Sequence, residues 1–300
     1  MRNGRPLMLG VLAIRLFAEE HSAPVVGVIA SAGVEAHRAA IEGIRAALGP
    51  AAEVRVADAG QGSAKAPLGP DVRVVIAVGS EAVRLLESER SDVAAVYAMV
   101  LRSRAEWEVR GRRAPVVIPL EIPLASLLTR LKPMFPGKTR LGIILGPSGD
   151  GMTAAQRQSR ALQEGFTVRV AECQGAEELP AALASFKNQI DFVWCLPDGT
   201  LYNSVTVKSL ILESIDKRLP LIGFSESFAK AGAAVSVYPD FRDIGMQAGE
   251  AAKRLLEGQN IRSAEGPRRL KVAVNQSVLR LLGLRYAPSG AEREEVSILQ

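Results

Sequence analysis

Only two histidines and two cysteines occur in the 300 residues, so the chain is short of the side chains that most often act as metal ligands, nucleophiles and general bases. His21 and His37 have no serine or cysteine nucleophile at a motif spacing. Cys173 and Cys195 lie at or within apolar strands, without CxxC spacing or a nearby histidine, and read as small buried hydrophobes. A disulfide between them requires that their strands be neighbours, and the redox compartment stays open. HExxH, GxSxG, Walker A and GxGxxG sequences are absent, which removes the expected groups for metal, acyl-transfer, nucleotide-hydrolysis and dinucleotide chemistry. No catalytic residue, metal ligand or cofactor is therefore expected. An enzyme working through Glu or Asp alone is the remaining catalytic alternative. Beyond the N-terminal segment, no run reaches the ~20 apolar residues of a membrane span.

What is present is material for a large core. The chain is 48% hydrophobic and 23% charged, the composition of a soluble globular protein. Its length exceeds the size at which one core usually stops growing, so two domains are expected. The net charge of +5 is mostly arginine, five of them in the run RSRAEWEVRGRR at 102–113. Such a run can attract an anion or nucleic acid. Glu106 and Glu108 interrupt it, however, and no nucleic-acid motif accompanies it, so a solvated loop is expected and no nucleic-acid partner.

The runs PVVGVIA (24–30), VRVVIAVG (72–79), TRLGIILG (139–146), DFVWCLP (191–197) and PLIGFS (220–225) are apolar on consecutive positions. That is the pattern of strands buried on both faces of a parallel sheet. Amphipathic stretches of helical length separate them at 35–48, 153–164 and 204–218. The alternation predicts α/β architecture with two doubly wound parallel-sheet lobes.

The joins follow from punctuation. Three prolines around an extended apolar segment at 110–123 mark a first crossover. A helix at 244–257 stops at Gly258, and 268–283 reads as a strand followed by a short helix. The expected division is 24–118 plus 241–262 for lobe 1, 119–240 plus 267–286 for lobe 2, and a polar tail at 287–300. Residues 1–23 resemble a weak signal: a basic start, a short apolar run at 7–14 cut by Arg15, and Ala18 or Ala23 before a cleavage point. A frayed extension or a misassigned start is the alternative. No cysteine lies there, so a lipid anchor is not expected.

In such sheets ligands bind at the carboxyl ends of strands. Gly79, Ser80 and Glu81 end a buried strand and open a helix whose N–H groups suit a carboxylate; Ser31 to Gly33 repeat that geometry. In the other lobe Asp198 can accept from an ammonium or hydroxyl group, and together these suit a zwitterion. Ser148 and Asp150 follow the strand at 139–146, and Asp240 precedes the long helix. Each of these has a plain alternative as a helix cap or turn former. Tyr97, Trp194, Phe224 and Tyr238 lie where rings can stack on a ligand, although Trp194, surrounded by buried residue types, reads as core.

The segments Gly223-Phe224-Ser225, Gly232-Ala233 and Tyr238 to Gly245, with DFVWCLPDGTLYNS at 191–204 and LKVAVNQSVLRLLGL at 270–284, resemble the ABC-transporter substrate-binding family related to tryptophan- and tyrosine-binding lipoproteins. The resemblance covers roughly residues 24–286. It departs from the family pattern where Met99 to Arg102 stand in place of an aspartate-proline pair, so the 99–113 loop is a place where specificity can differ. The family implies a type I periplasmic-binding-protein fold with hinged lobes that bind a small organic ligand, an amino acid or aromatic carboxylate, with Ser225 among the ligand-side residues. It further implies a monomer serving an ABC permease and its ATPase, meeting the membrane only through them. The compartment is then periplasmic, or cytoplasmic if the N-terminus is no export signal. The alternatives are a ligand sensor of the same fold and a small α/β enzyme.

Overall fold

In the run VVGVIA all six residues are buried, and they form β1 (Val25–Ala30), an inner strand of a sheet covered on both faces. The computed structural model describes residues 23–61, 69–89, 93–101, 114–149, 151–261, 263–264, 266–287 and 296–300. The first lobe continues with α1 (Glu35–Leu48), β2 (Glu53–Asp58), β3 (Val72–Val78), α2 (Ser80–Glu89), β4 (Ala94–Val100) and β5 (Val116–Pro119). Its strands run in the order β2-β1-β3-β4-β5 with every pair parallel.

The second lobe follows as α3 (Leu124–Met134), β6 (Arg140–Leu145), α4 (Ala154–Gln163), β7 (Thr167–Glu172), α5 (Leu179–Phe186), β8 (Phe192–Cys195), α6 (Thr206–Asp216), β9 (Leu221–Gly223), α7 (Glu226–Ala231) and β10 (Val235–Pro239). The chain then returns to the first lobe as α8 (Phe241–Leu256) and ends in the second as β11 (Leu270–Asn275), α9 (Gln276–Leu281) and β12 (Val296–Leu299). The second sheet is ordered β12-β11-β10-β9-β8-β6-β7. It departs from an all-parallel sheet at one place, where β10 and β11 are antiparallel.

Helices cover both faces of both sheets. In the first lobe, Ile244, Ala248 and Ala252 of α8 share a core with Ala40 and Ile44 of α1 and Val26, Val28 and Ile76 of the sheet. Ala82, Val83 and Leu86 of α2 close the opposite face. In the second lobe α3 and α9 cover one face and α5 and α6 the other. The two helices α1 and α8 touch through glycines: a methyl group on Gly245 would run into the Ala40 carbonyl, and one on Gly43 into that of Arg242. Asp240 fixes the start of α8, its carboxylate accepting from the N–H groups of Arg242 (2.9 Å) and Asp243 (3.3 Å).

Three passages of chain join the lobes, after β5, between β10 and α8, and before β11. Ala264 N–H donates to the Val117 carbonyl (2.9 Å), and Val117 N–H donates to Ser263 Oγ (2.9 Å). The third passage thus runs beside the first. Arg268 then clamps Asp243 (3.3 Å) and Glu250 (2.8 Å) of α8.

Several expectations are corrected. The proline-bounded segment taken as crossover contains β5, an edge strand of the first sheet, because Val116 and Ile118 bury against its core. Within the expected polar tail, Val296 to Leu299 pair with Val272 to Asn275, since Val296 finds apolar cover on the core beneath. Cys173 and Cys195 are both free; β6 lies between β8, which carries Cys195, and β7, which ends one residue before Cys173. Burial pushes the Cys195 thiol up to about 12, which makes it inert. Residues 1–22 and the arginine run lie outside the described residues. No helix among the described residues is long and apolar enough to cross a membrane.

Candidate functional site

Parallel strands deliver their carboxyl ends to one edge, and the loops leaving β1 and β3 meet there. Ser31 Oγ donates to Glu81 Oε2 (3.1 Å), while Ser31 N–H donates to His37 Nδ1 (3.2 Å). Asp58, at the end of β2, accepts from Ala32 N–H (3.1 Å) and Gly60 N–H (3.0 Å). Gly79 has φ +86°, and a methyl group there would sit 2.9 Å from His37 Cε1. A glycine is needed on both counts. Ser80 opens α2 half-buried, and Gly33 is exposed in the turn. The structure thus brings Ser31, Gly79 and Glu81 together around His37, a residue that no sequence motif joins to them. Burial pushes the His37 imidazole below its usual value, and the negative charge of Glu81 opposes that shift.

In the second lobe Asp198 is 5% exposed. Its carboxylate accepts from Ser148 N–H (3.1 Å) and Thr200 N–H (2.8 Å), tying together the loops after β6 and β8. Gly146 lies flush against this carboxylate, leaving no room for a side chain. Both oxygens face backbone donors, so the turn-forming alternative is the one the geometry displays. Ser148 is exposed beside it. Asp150 lies outside the described residues.

The remaining expected residues serve local structure. Ser225 Oγ accepts from Phe228 N–H (3.2 Å) at the start of α7. Phe224 packs half-buried among Tyr202 and Phe228, with ring centroids at 5.6 and 5.1 Å. Tyr238 is 6% exposed and leans on Phe241; burial raises its phenol to about 12. Asp240 caps α8 and faces Lys271 at 3.6 Å. Tyr97 departs most from the expectation of a strand-end ring. It is 4% exposed under α2, with its hydroxyl donating to Glu87 (3.3 Å).

A cavity of about 330 Å³ opens between the end of β4 and the second lobe. Leu101 forms one wall, the crossover from Glu121 to Leu124 the back, and Trp194, Leu196 and Pro197 at the end of β8 the floor. Gly149, Gly151 and Met152 close the side, and α4 presents Gln156 and Arg160. Those two are four residues apart and share one helix face. The N-terminus of α4 is held by a capping box, Thr153 Oγ1 accepting from Gln156 N–H (3.2 Å) and Gln156 Oε1 from Thr153 N–H (2.8 Å). Arg157 Nη2 donates to the Met152 carbonyl (2.6 Å), fixing the loop before it. Across the cavity, β4 carries an irregularity between Ala98 and Val100, and Met99 has φ +59°. Such a bulge re-aims the chain that follows, which here is Leu101.

None of the twelve expected residues that are described lines this cavity. Trp194, expected to be core, is both: it is 4% exposed and packs in the second core while forming the cavity floor. Arg160, Gln156 and Glu121 were missed. The available signal was the Thr153-Gln156 capping box, which sets the rotation of α4. Chemically the cavity combines an indole and aliphatic walls with one cation and one carboxylate.

A sequence profile described as ABC transporter substrate binding protein matches residues 117–289. No curated protein matches the chain by sequence. Among solved structures, the chain is similar to the ligand-free, open structure of a substrate binding protein with adhesive properties from Clostridium difficile, with TM-score 0.63, 16% identity and coverage of 92% of this chain and 99% of that one. It is similar to an ABC domain in complex with L-Trp from Streptococcus pneumonia, with TM-score 0.59, 15% identity and coverage of 93% and 100%. Similarity extends to a transcription regulator, CcpA of Lactococcus lactis, with TM-score 0.51, 14% identity and coverage of 84% and 97%. At these identities the likeness concerns the fold, two α/β parallel-sheet lobes.

Proposed function

The chain belongs to the ABC transporter substrate-binding protein family, and from that premise we propose that it captures a small organic solute between its lobes and delivers it to a membrane permease and its ATPase. The ligand class we favour is an amino acid or aromatic carboxylate. The observation that carries this is the cavity beside the crossover, where Trp194 offers a ring face and Arg160 and Glu121 bring one charge of each sign. An aromatic ring stacks favourably on an indole, and a guanidinium recognises a carboxylate through paired hydrogen bonds. The L-Trp bound by the similar domain from Streptococcus pneumonia agrees with that chemistry. The Ser31, Gly79, Ser80 and Glu81 group then forms the opposing jaw, meeting the ligand when the lobes close. A ligand that touches both lobes favours the closed arrangement by its higher affinity for it. The bound compound leaves unchanged, with no chemical step. The working compartment is extracytoplasmic, and the protein acts as a monomer.

The test is calorimetric titration with aromatic amino acids, aromatic carboxylates, aliphatic amino acids and sugars, followed by mass analysis of the recovered compound. An aromatic carboxylate should bind and be recovered intact. Arg160→Ala should weaken it at least tenfold, the loss expected for one charge-assisted hydrogen bond of about 1.5–3 kcal/mol. Binding by sugars alone, or equal affinity in the variant, would overturn the ligand class.

A further inference from the structure

At the opposite edge of the seven-stranded sheet, where β6, β8 and β9 begin, a second depression of about 550 Å³ is present. The ends of α5 and α6 converge on it. Five cationic side chains line it, Lys138, Arg140, Lys187, Lys217 and Arg218, against the carboxylates of Asp191 and Asp216. Asp191 is committed internally. It accepts from the backbone N–H groups of Thr139 (3.1 Å) and Arg140 (3.0 Å), and its other oxygen takes Arg140 Nη2 (3.0 Å) with Lys138 Nζ at 3.5 Å. Lys217 turns to Glu213 one helical turn away (3.3 Å). Lys187 and Arg218, both exposed, make no ion pair among the described residues.

Helix carboxyl ends attract cations on their own account, and the positions of Lys187 and Lys217, each just past a helix, answer to that. Arg218 does not. It follows α6 with φ +52°, where the helix closes through Leu219 N–H to the Ser214 carbonyl (2.8 Å). That is the left-handed position at which glycine is the usual residue, and a long side chain is held there at a cost in backbone strain. Three non-glycine residues among those described have left-handed backbone, and two of them, Asn188 and Arg218, border this groove. Strain of this kind collects where a side chain is needed for a task.

We propose that this groove is an anion site separate from the interlobe cavity, taking a small phosphoryl-bearing anion of two or more negative charges. Arg218 offers the planar fork that suits phosphoryl oxygens and Lys187 a second point charge lining the same groove, so a singly charged carboxylate would leave one cation unmatched. Leu282 and Leu284 supply an apolar floor on which the rest of such a ligand can lie. Because the groove lies away from the cavity, the site stands or falls independently of the solute-binding role.

The experiment is calorimetric titration of the full chain with inorganic pyrophosphate, with ATP and citrate as further arms, together with thermal melts. Saturable one-to-one binding of pyrophosphate is expected, tighter than that of citrate. Arg218→Gly should weaken it at least tenfold while leaving the anion-free melting temperature unchanged or higher, because glycine relieves the left-handed position. Lys187→Gln, at an exposed site, should weaken it severalfold, whereas Arg160→Ala in the cavity should leave it unaltered. No saturable binding, citrate binding as tight as pyrophosphate, undiminished binding in Arg218→Gly, or a loss in Arg160→Ala would each overturn the proposal.

Discussion

Two side chains show how much a single group decides here. Asp198 reads in the sequence as a ligand contact, whereas in the structure its two oxygens hold the backbone of the loops after β6 and β8. Asp198→Ala should therefore destabilise the protein by about 1–3 kcal/mol, because Thr200 N–H loses its acceptor in a half-buried turn; urea denaturation measures this. His37 is the second. Its imidazole is held below its usual value by burial, so between that lowered value and the unfolded value of about 6.5 the unfolded chain binds more protons. Stability should fall as pH drops below about 6.5 and level off once the folded state also titrates. His37→Gln, which keeps an acceptor for Ser31 N–H, should flatten that part of a denaturation series at pH 5 to 7.5. The strand-end turns were legible in the sequence because glycine and serine mark them, and with them Ser31, Gly79 and Glu81. The cavity lining was not. Arg160 faces the cavity only through the rotation that the α4 cap imposes, and Trp194 sits in a run whose neighbours are all buried, which masks a ring that is core on one side and cavity floor on the other.

Among the elements, α8 carries the most. Its glycines admit α1 at backbone contact, so Gly245→Ala must push the helices apart and should cost about 1–3 kcal/mol or more, the range for overpacking a close-packed site. A thermal melt would register this, while Ala248→Gly at a neighbouring core position should cost less than a helix displacement. The helices at 35–48 and 153–164 were legible from amphipathic spacing, and they match α1 (Glu35–Leu48) and α4 (Ala154–Gln163) closely. Consecutive apolar runs gave away β1, β3, β6, β8 and β9. The edge strands were harder, for a physical reason. An edge strand is only partly covered, so β2 and β7 mix exposed and half-buried residues and present no continuous apolar signal. The prolines beside β5 are tolerated at an edge yet read as a crossover in the linear sequence. The antiparallel sense of β11 follows from the route of the chain through α8 and cannot be read from periodicity.

On the scale of the molecule, three adjacent passages of chain connect the two lobes, and the cavity opens beside the first of them. Small-angle scattering should show a radius of gyration for the ligand-free protein above the ~19 Å of a single compact body of this length, moving toward it when solute is added. No change on saturation would argue against closure. The same route through the fold has a consequence in time. The core of lobe 1 is completed by α8, whose Ile244, Ala248 and Ala252 cover residues of β1 and β3, and α8 is made only after the whole stretch from β6 to β10. At ~5–20 residues per second of synthesis, the first sheet waits about 6–25 s for its closing helix. Throughout that interval α1 alone covers this face of the first sheet, so part of its apolar surface stays open to water long after the first half of the chain has been translated.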